Sequence, residues 1–314
     1  MKSRKRIIWI WVAGLLTLAI LLAADLSAGG LPSVDILKHL RLPRAVTAIL
    51  AGIALSLSGA QMQSIFHNPL ADPYIMGISA GAALGAAVAT LTGTNNGIPA
   101  GLTIAASASS GALLSAIIIL AVSKKFKNAG ELLIFGIMMS FIVNATIPIL
   151  QAGAESESLK LYYSWSSGSF SNTTWLQTAM MLTAVIIGTI TALFNTKELD
   201  IIIFGDDFAS MAGADPGRIR MTALISSSIM TGTITAFCGP IGFVGIIAPH
   251  IAGYAFSTAS HRTKLPGTML TGSIICIAAD LLSRTGETPI PIASTMAFVG
   301  IPVVVYMLLK RPII

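Results

Sequence analysis

The sequence has 314 residues, 54% of them hydrophobic and 10% charged, against about 25% charged in an ordinary soluble domain. That much apolar surface exceeds what one water-facing core holds and calls for lipid as solvent, since a membrane span needs about 20 apolar residues. The formal charge of +6 is then a matter of how Lys and Arg divide across a membrane, not of nucleic-acid binding. Cys238 and Cys276 each sit in an apolar run without a CxxC partner, which suggests core packing and neither a disulfide framework nor a metal knuckle.

In chain order, apolar runs occupy residues 7–24, 45–66, 74–93, 98–122, 132–151, 172–194, 218–238, 241–258, 265–283 and 292–309. They predict an all-α integral membrane protein of about ten transmembrane helices, a single domain over residues 1–314. The basic start, Lys2 to Arg6 before an apolar run, also has the form of a signal peptide. A retained first helix is simpler, because the run is long for such a segment and more spans follow. With the N-terminus inside, the cytoplasm receives Lys2, Arg4, Lys5, Arg6, Lys124, Lys125, Lys127, Lys197, Arg218, Arg220, Arg262, Lys264, Lys310 and Arg311. The outside receives Lys38, Arg41, Arg44, Lys160 and Arg284. Fourteen basic residues against five satisfy the positive-inside rule, and an even number of spans returns the C-terminus to the cytoplasm. Gly77, Gly81 and Gly85 recur every four residues, which places them on one face of the third span for close backbone approach. Pro148, Pro249 and Pro302 predict kinks that a bundle can absorb.

The sequence contains no GxxxxGK[ST] phosphate loop, HExxH or paired-carboxylate site, so neither ATP binding of the P-loop kind nor catalytic residues are expected of this chain. His39, His67, His250 and His261 lack metal-ligand spacing; His250, in an apolar run after a proline, reads as a packed or capping histidine. No metal site is expected. The centres of the ten runs carry no Asp, Glu, Lys or Arg, whereas proton-coupled carriers place ionisable groups at depth. Energy then comes from elsewhere, although a secondary carrier or a channel stays open as a reading.

Three segments stand out. The longest cytoplasmic connection, residues 195–220, reads as two short helices: Gly205 turns the chain, Asp206 or Asp207 caps the next helix, Gly213 ends it, and Pro216 opens another. It is either a rigid docking knob or a solvated loop. On the other side, Arg41-Leu42-Pro43-Arg44 opens the second span and Arg284 ends the ninth. These outward arginines run against the charge rule, and they suit either lipid headgroups or an acidic partner. Finally, Asn68-Pro69 and Asp72-Pro73 before Gly77 break the helix sharply after the second span.

Together these stretches resemble the FecCD family of ABC-transporter permeases. The matching motifs are RLPR at 41–44, GAQMQSIFHNPLADPYIMGISAGA at 59–82, GDDFASMAG at 205–213, CGPIGFVGIIAPHIA at 238–252, HRTKLPG at 261–267, AADLLSRT at 278–285 and the closing VGIPVVVYMLLKR. The resemblance implies a type II ABC importer permease fold in a bacterial cytoplasmic (inner) membrane, with a second copy of the chain completing a homodimer. It further implies two ATP-binding cassette subunits, which hold ATP and Mg, and an extracytoplasmic substrate-binding protein; this chain binds no cofactor of its own. The cargo of such a permease is a metal chelate, iron-siderophore first, haem or cobalamin (vitamin B12) otherwise. By the same resemblance, residues 198–217, within a cytoplasmic segment of about 195–217, form the ATPase-coupling helices. The residues matching the coupling contact are Asp206, Asp207, Phe208, Ala209, Ser210, Met211, Ala212 and Gly213. Arg41, Arg44 and Arg284 match the arginines that meet glutamates of the binding protein. Ser140 and Asn144, in the fifth span, are candidates for the translocation wall or for polar packing between helices. The outer loop after Arg284 is shorter than the family pattern, and Ala293 replaces a glycine there.

Overall fold

The computed structural model describes residues 2–28, 33–92, 100–126, 128–171, 173–285 and 289–310. Lys127, Arg311 and residues 286–288 of the loop after Arg284 lie outside the described residues. Those described form helices and connecting turns, with no strand among them. In order they are α1 (Lys2–Ser27), α2 (Val34–Ile36), a π-turn (Leu37–Arg41), α3 (Leu42–Ile65), α4 (Ile78–Leu91), α5 (Ala100–Ser123), α6 (Ala129–Ala152) and α7 (Ser156–Ser166). There follow α8 (Trp175–Phe194), α9 (Thr196–Ile202), α10 (Asp206–Met211), α11 (Pro216–Cys238), α12 (Val244–Phe256), α13 (His261–Ser283) and α14 (Ile292–Lys310). Each of the ten apolar runs holds one helix: α1, α3, α4, α5, α6, α8, α11, α12, α13 or α14. Among the described residues, seven helices are long and apolar enough to cross a membrane, and Ile78–Leu91, Val244–Phe256 and Ile292–Tyr306 are shorter apolar helices.

The bundle is organised around α3, which packs against α8, α11, α12 and α13. Nineteen of its 24 residues are buried, so α3 is enclosed on every side. Its sequence explains this. Between lipid-solvated helices the hydrophobic effect offers little, and association depends on close packing of small residues; α3 supplies Ala48, Ala51, Gly52, Ala54, Ser56, Ser58, Gly59 and Ala60. A Cβ on Gly59 would lie 1.9 Å from the Gly245 carbonyl oxygen of α12, and one on Gly52 would lie 2.4 Å from that of Gly272 in α13. Backbones therefore touch at both places. By contrast α1, α6 and α8 expose long apolar faces, including Trp9, Leu16, Phe141, Ile142, Ile187 and Phe194.

Of the three glycines expected to share a face, Gly81 and Gly85 do pack on α5, against Gly111 and Ser107. Gly77 does not. It caps α4 with φ +82° and meets Gly136, Met139 and Ser140 of α6, so its role is the left-handed turn that admits glycine freely.

Helices α4 and α12 contain 14 and 13 residues, or about 20 Å each at 1.5 Å per residue, short of a hydrocarbon core of about 30 Å. Both follow irregular segments, residues 66–77 and 239–243, and these meet inside the protein. The Tyr74 hydroxyl accepts from the Ile241 N–H at 2.8 Å, and buried Asp72 accepts from the Tyr74 N–H at 2.8 Å. Irregular backbone within a membrane bundle requires such internal partners. The predicted run 74–93 therefore overstated the helix by four residues at its start, because an apolar stretch does not distinguish a helix from a buried turn.

Candidate functional site

Two polar constellations occupy opposite ends of α3 and α13. At one end, the π-turn delivers Arg41 at its last residue, and the first turn of α3 carries Arg44. Arg44 donates from Nε to both oxygens of Asp280 at 3.0 and 2.8 Å and from Nη2 at 2.8 Å. This is a bidentate fork, the strongest form of such a pair. Arg284, one turn after Asp280, donates from Nη2 to Asp280 at 2.9 Å and to the carboxylate of Asp25 at the end of α1. Asp280 and Asp25 are 0% and 1% exposed. Arg41 reaches the Leu26 carbonyl at 2.5 Å. The three arginines expected on the outer face are thus brought together, each engaged within the chain, stapling one end of α1, α3 and α13.

Neither Asp25 nor Asp280 stands out from the sequence alone. The spacing of Asp280 and Arg284 by four residues was a readable signal; the pairing of Arg44 with Asp280 across 236 positions was not. The expectation that the runs carry no charge at their centres still describes the sequence. Even so, the fold encloses carboxylates at Asp25, Asp72 and Asp280.

At the other end, residues 195–217 do form two short helices, α9 and α10, with turns at Gly205 (φ +105°) and Gly213 (φ +81°). The capping differs from expectation. Gly205 precedes α10, and neither Asp206 nor Asp207 closes the cap by a side-chain hydrogen bond. Their carboxylates lie in the first turn, where the helix dipole favours negative charge, and Asp206 pairs with Arg220 of α11. Asp215 is the side-chain cap, accepting from the Gly217 and Arg218 N–H groups at 2.9 and 3.3 Å, with Pro216 opening α11. Ala209 is buried, whereas Phe204, Phe208 and Met211 are exposed, Met211 at 81%. The rings of Phe204 and Phe208 stand 5.2 Å apart. The hairpin is therefore built around Ala209 and presents an apolar tip. Of the remaining named residues, Ser210 turns its hydroxyl back to the Asp206 carbonyl at 2.9 Å, and Ala212 and Gly213 close the last turn.

Ser140 donates to the Gly136 and Ile75 carbonyls at 2.9 and 3.2 Å, joining α6 to the turn before α4. Asn144, one turn on, is exposed on α6 beside Phe141 and Ile142. Only Asn144 of this pair presents a polar group on an open face. His250 donates to the Pro69 carbonyl at 2.8 Å, a packing role. Among the described residues no three His, Cys, Asp or Glu side chains gather as a metal site.

Residues 10–310 match the FecCD transport family. The chain belongs to that family. It is similar to the uncharacterized ABC transporter permease protein YvrB of Bacillus subtilis, 34% identical over 88% of this chain and 79% of that protein. It is likewise similar to the cobalamin import system permease protein BtuC of Halobacterium salinarum, 32% identical over 88% of this chain and 74% of that protein. A solved structure described as an inward-facing conformation of a metal-chelate type ABC transporter superposes with a TM-score of 0.87 at 25% identity, covering 96% of this chain and 98% of that one. The FecCD chain is accordingly an ABC-transporter permease subunit, a multi-pass membrane protein by its apolar helices.

Proposed function

We propose that this FecCD permease is the membrane-spanning subunit of an ATP-driven importer for a metal chelate. It crosses a bacterial cytoplasmic membrane ten times with both termini in the cytoplasm, pairs with a second copy, and works with two ATP-binding cassette subunits and an extracytoplasmic binding protein. ATP and Mg belong to the ATPase partners. The observation that carries the reading is the exposed apolar tip of Phe204, Phe208 and Met211. It is held on a short rigid hairpin at the end of the bundle away from the arginine cluster. A soluble motor can grip such a tip, and the residues from Asp206 to Gly213 supply the contact. Arg41, Arg44 and Arg284 then face the binding protein. Alternating access follows: closure of the ATPases moves the hairpins, and the path between the two copies opens to one side and then the other. Asn144 and, less openly, Ser140 of α6 border that path.

Iron-siderophore remains the leading cargo class. The cobalamin importer among the relatives supports a second reading, with vitamin B12 as cargo. The test is reconstitution in liposomes with the ATPase and the binding protein encoded nearby, measuring uptake of labelled ferric siderophore, haem and cobalamin with and without ATP. ATP-dependent uptake of one class supports the importer. Equal uptake by the chain without an ATPase refutes it in favour of a carrier or channel.

A further inference from the structure

The hairpin of α9 and α10 is joined covalently to α8 and α11, yet several of its polar ties run elsewhere. Asp200 of α9 accepts from the His261 backbone N–H at 2.7 Å and from its ring Nδ1 at 2.7 Å, and from the Ser260 hydroxyl at 3.1 Å. The other ring nitrogen, Nε2, lies 2.8 Å from the Ser64 hydroxyl in the last turn of α3. With Nδ1 donating to the carboxylate, a neutral ring leaves Nε2 as an acceptor for that hydroxyl, whose single proton it shares with the Ala60 carbonyl, also at 2.8 Å. His261 is 0% exposed. His67, held at φ +50° just beyond α3, donates to the Ile202 carbonyl at 2.5 Å where α9 ends. The inner ends of α3 and α13 are thus fastened to the hairpin by one buried imidazole and one neighbouring contact.

The same two helices stay in contact along their length. Gly52 and Gly272 meet backbone to backbone, and the Ser273 hydroxyl donates to the Ile49 carbonyl at 3.5 Å. At the far end Arg44 and Asp280 lock them again. Twenty residues separate Arg44 from Ser64, which is about 30 Å of helix. Neither helix has room to slide on the other without breaking a buried contact, because packed interiors transmit displacement instead of absorbing it.

We propose that Ser64, His261 and Asp200 are positioning residues for transport. They lock the hairpin onto a rigid pair formed by α3 and α13, so that a displacement of the hairpin reaches the arginine cluster about 30 Å away. This rests on the importer reading above.

The experiment uses the complete complex in liposomes and compares cargo moved per ATP hydrolysed. His261→Ala and Ser64→Ala assemble and keep basal ATPase activity, while transport per ATP falls about 10-fold, within the usual range of a coupling between sites. The double variant is no worse than His261→Ala, because the bond to the imidazole that Ser64→Ala removes is already lost with the ring. His261→Asn, which keeps a group near Asp200, and His261→Gln, which keeps one near Ser64, each restore part of the ratio. A role in stability alone would lower the amount of assembled complex and leave the ratio unchanged. Unchanged transport per ATP in His261→Ala, or losses that multiply in the double variant, overturns the proposal. If His261→Ala fails to insert, Asp200→Asn at the partly exposed end of the cluster gives the same reading by the same ratio. Absence of ATP-driven uptake by the wild-type complex removes the importer reading and this proposal with it, whereas normal uptake by wild type and variants alike removes this proposal only.

Discussion

Replacing Asp280 by Ala removes the one carboxylate that both Arg44 and Arg284 share. The structure sets the size of the effect. Asp280 is 0% exposed and receives four side-chain donations, at 3.0, 2.8 and 2.8 Å from Arg44 and 2.9 Å from Arg284. Deleting one partner of a buried pair costs about 3–5 kcal/mol, since the remaining charge is left in place without compensation. Two features place this case at the lower end, ~3 kcal/mol: the arginine side chains keep 19% and 18% exposure, and Asp25 still holds Arg284. Asp280→Asn retains the volume and one acceptor, so its cost is smaller, about 1.5–3 kcal/mol for hydrogen bonds to charged groups. Equilibrium unfolding in mixed micelles, followed by the fluorescence of the four tryptophans, measures both. A cycle with Arg44→Ala should return a coupling of at least ~1 kcal/mol. An Asp280→Ala protein within ~0.5 kcal/mol of wild type, the range of surface changes, or an additive cycle, would show that the buried network contributes nothing.

Met211→Asp places a charge on a residue that is 81% exposed, so unfolding should be unchanged within ~0.5 kcal/mol while co-purification of the ATPase is lost; retained assembly would move the docking surface elsewhere. Gly59→Val drives a side chain into the Gly245 carbonyl, 1.9 Å from an added Cβ. Overpacking against backbone should cost ~3 kcal/mol or more. Gly130→Ala in α6 meets nothing within 4 Å and should be neutral to within ~1 kcal/mol. Thermal aggregation of the two variants in detergent compares them directly, and equal behaviour would contradict the close α3–α12 packing.

The ten helices were legible because length and apolar composition are local properties, and the hairpin at 195–217 because Gly205, Gly213 and Pro216 mark turns by their own backbone preferences. The cap of α10 differs from the reading at Asp206 and Asp207: acidic residues after a glycine fit a cap by type, but Gly205 is itself the N-cap, no side chain closes it, and both carboxylates lie in the first turn. The break before α4 was marked by Asn68-Pro69 and Asp72-Pro73, whereas the apolar stretch before α12 passed as part of a helix. Only the bond from the Ile241 N–H to the Tyr74 hydroxyl across 167 positions shows how the two irregular backbones satisfy each other. The partners of Arg44 and His261 were invisible for the same cause: a side chain's charge is local, but its neighbour is decided by the packing of α3 against α13.

That packing also changes what Arg41, Arg44 and Arg284 can offer a docked acidic surface. Arg44 commits Nε and Nη2 to Asp280, and its Nη1 has no hydrogen-bond partner among the described residues. It can therefore receive a carboxylate while keeping its internal fork. Arg284 cannot do so as readily, because its Nη2 bridges Asp25 and Asp280 and its Nε and Nη1 point at the Asp280 and Asp25 carbonyls, at 3.4 and 3.5 Å. Asp25 and Asp280 offset Arg44 and Arg284, so Arg41 alone adds net charge to the cluster, which leaves it a modest long-range pull on an acidic partner and makes docking there only weakly sensitive to salt. Arg284→Lys, which gives up the planar fork, should then lower stability by about 1–3 kcal/mol and leave the affinity of the binding protein within about 2-fold, below 1 kcal/mol. Arg44→Glu sets a second carboxylate against Asp280 and should weaken both. The measurement is surface-plasmon titration of the binding protein on the reconstituted permease, run beside the unfolding assay. A tenfold loss of affinity in Arg284→Lys at wild-type stability would mean that this guanidinium leaves Asp25 and Asp280 when the partner docks, and would refute a fixed internal staple.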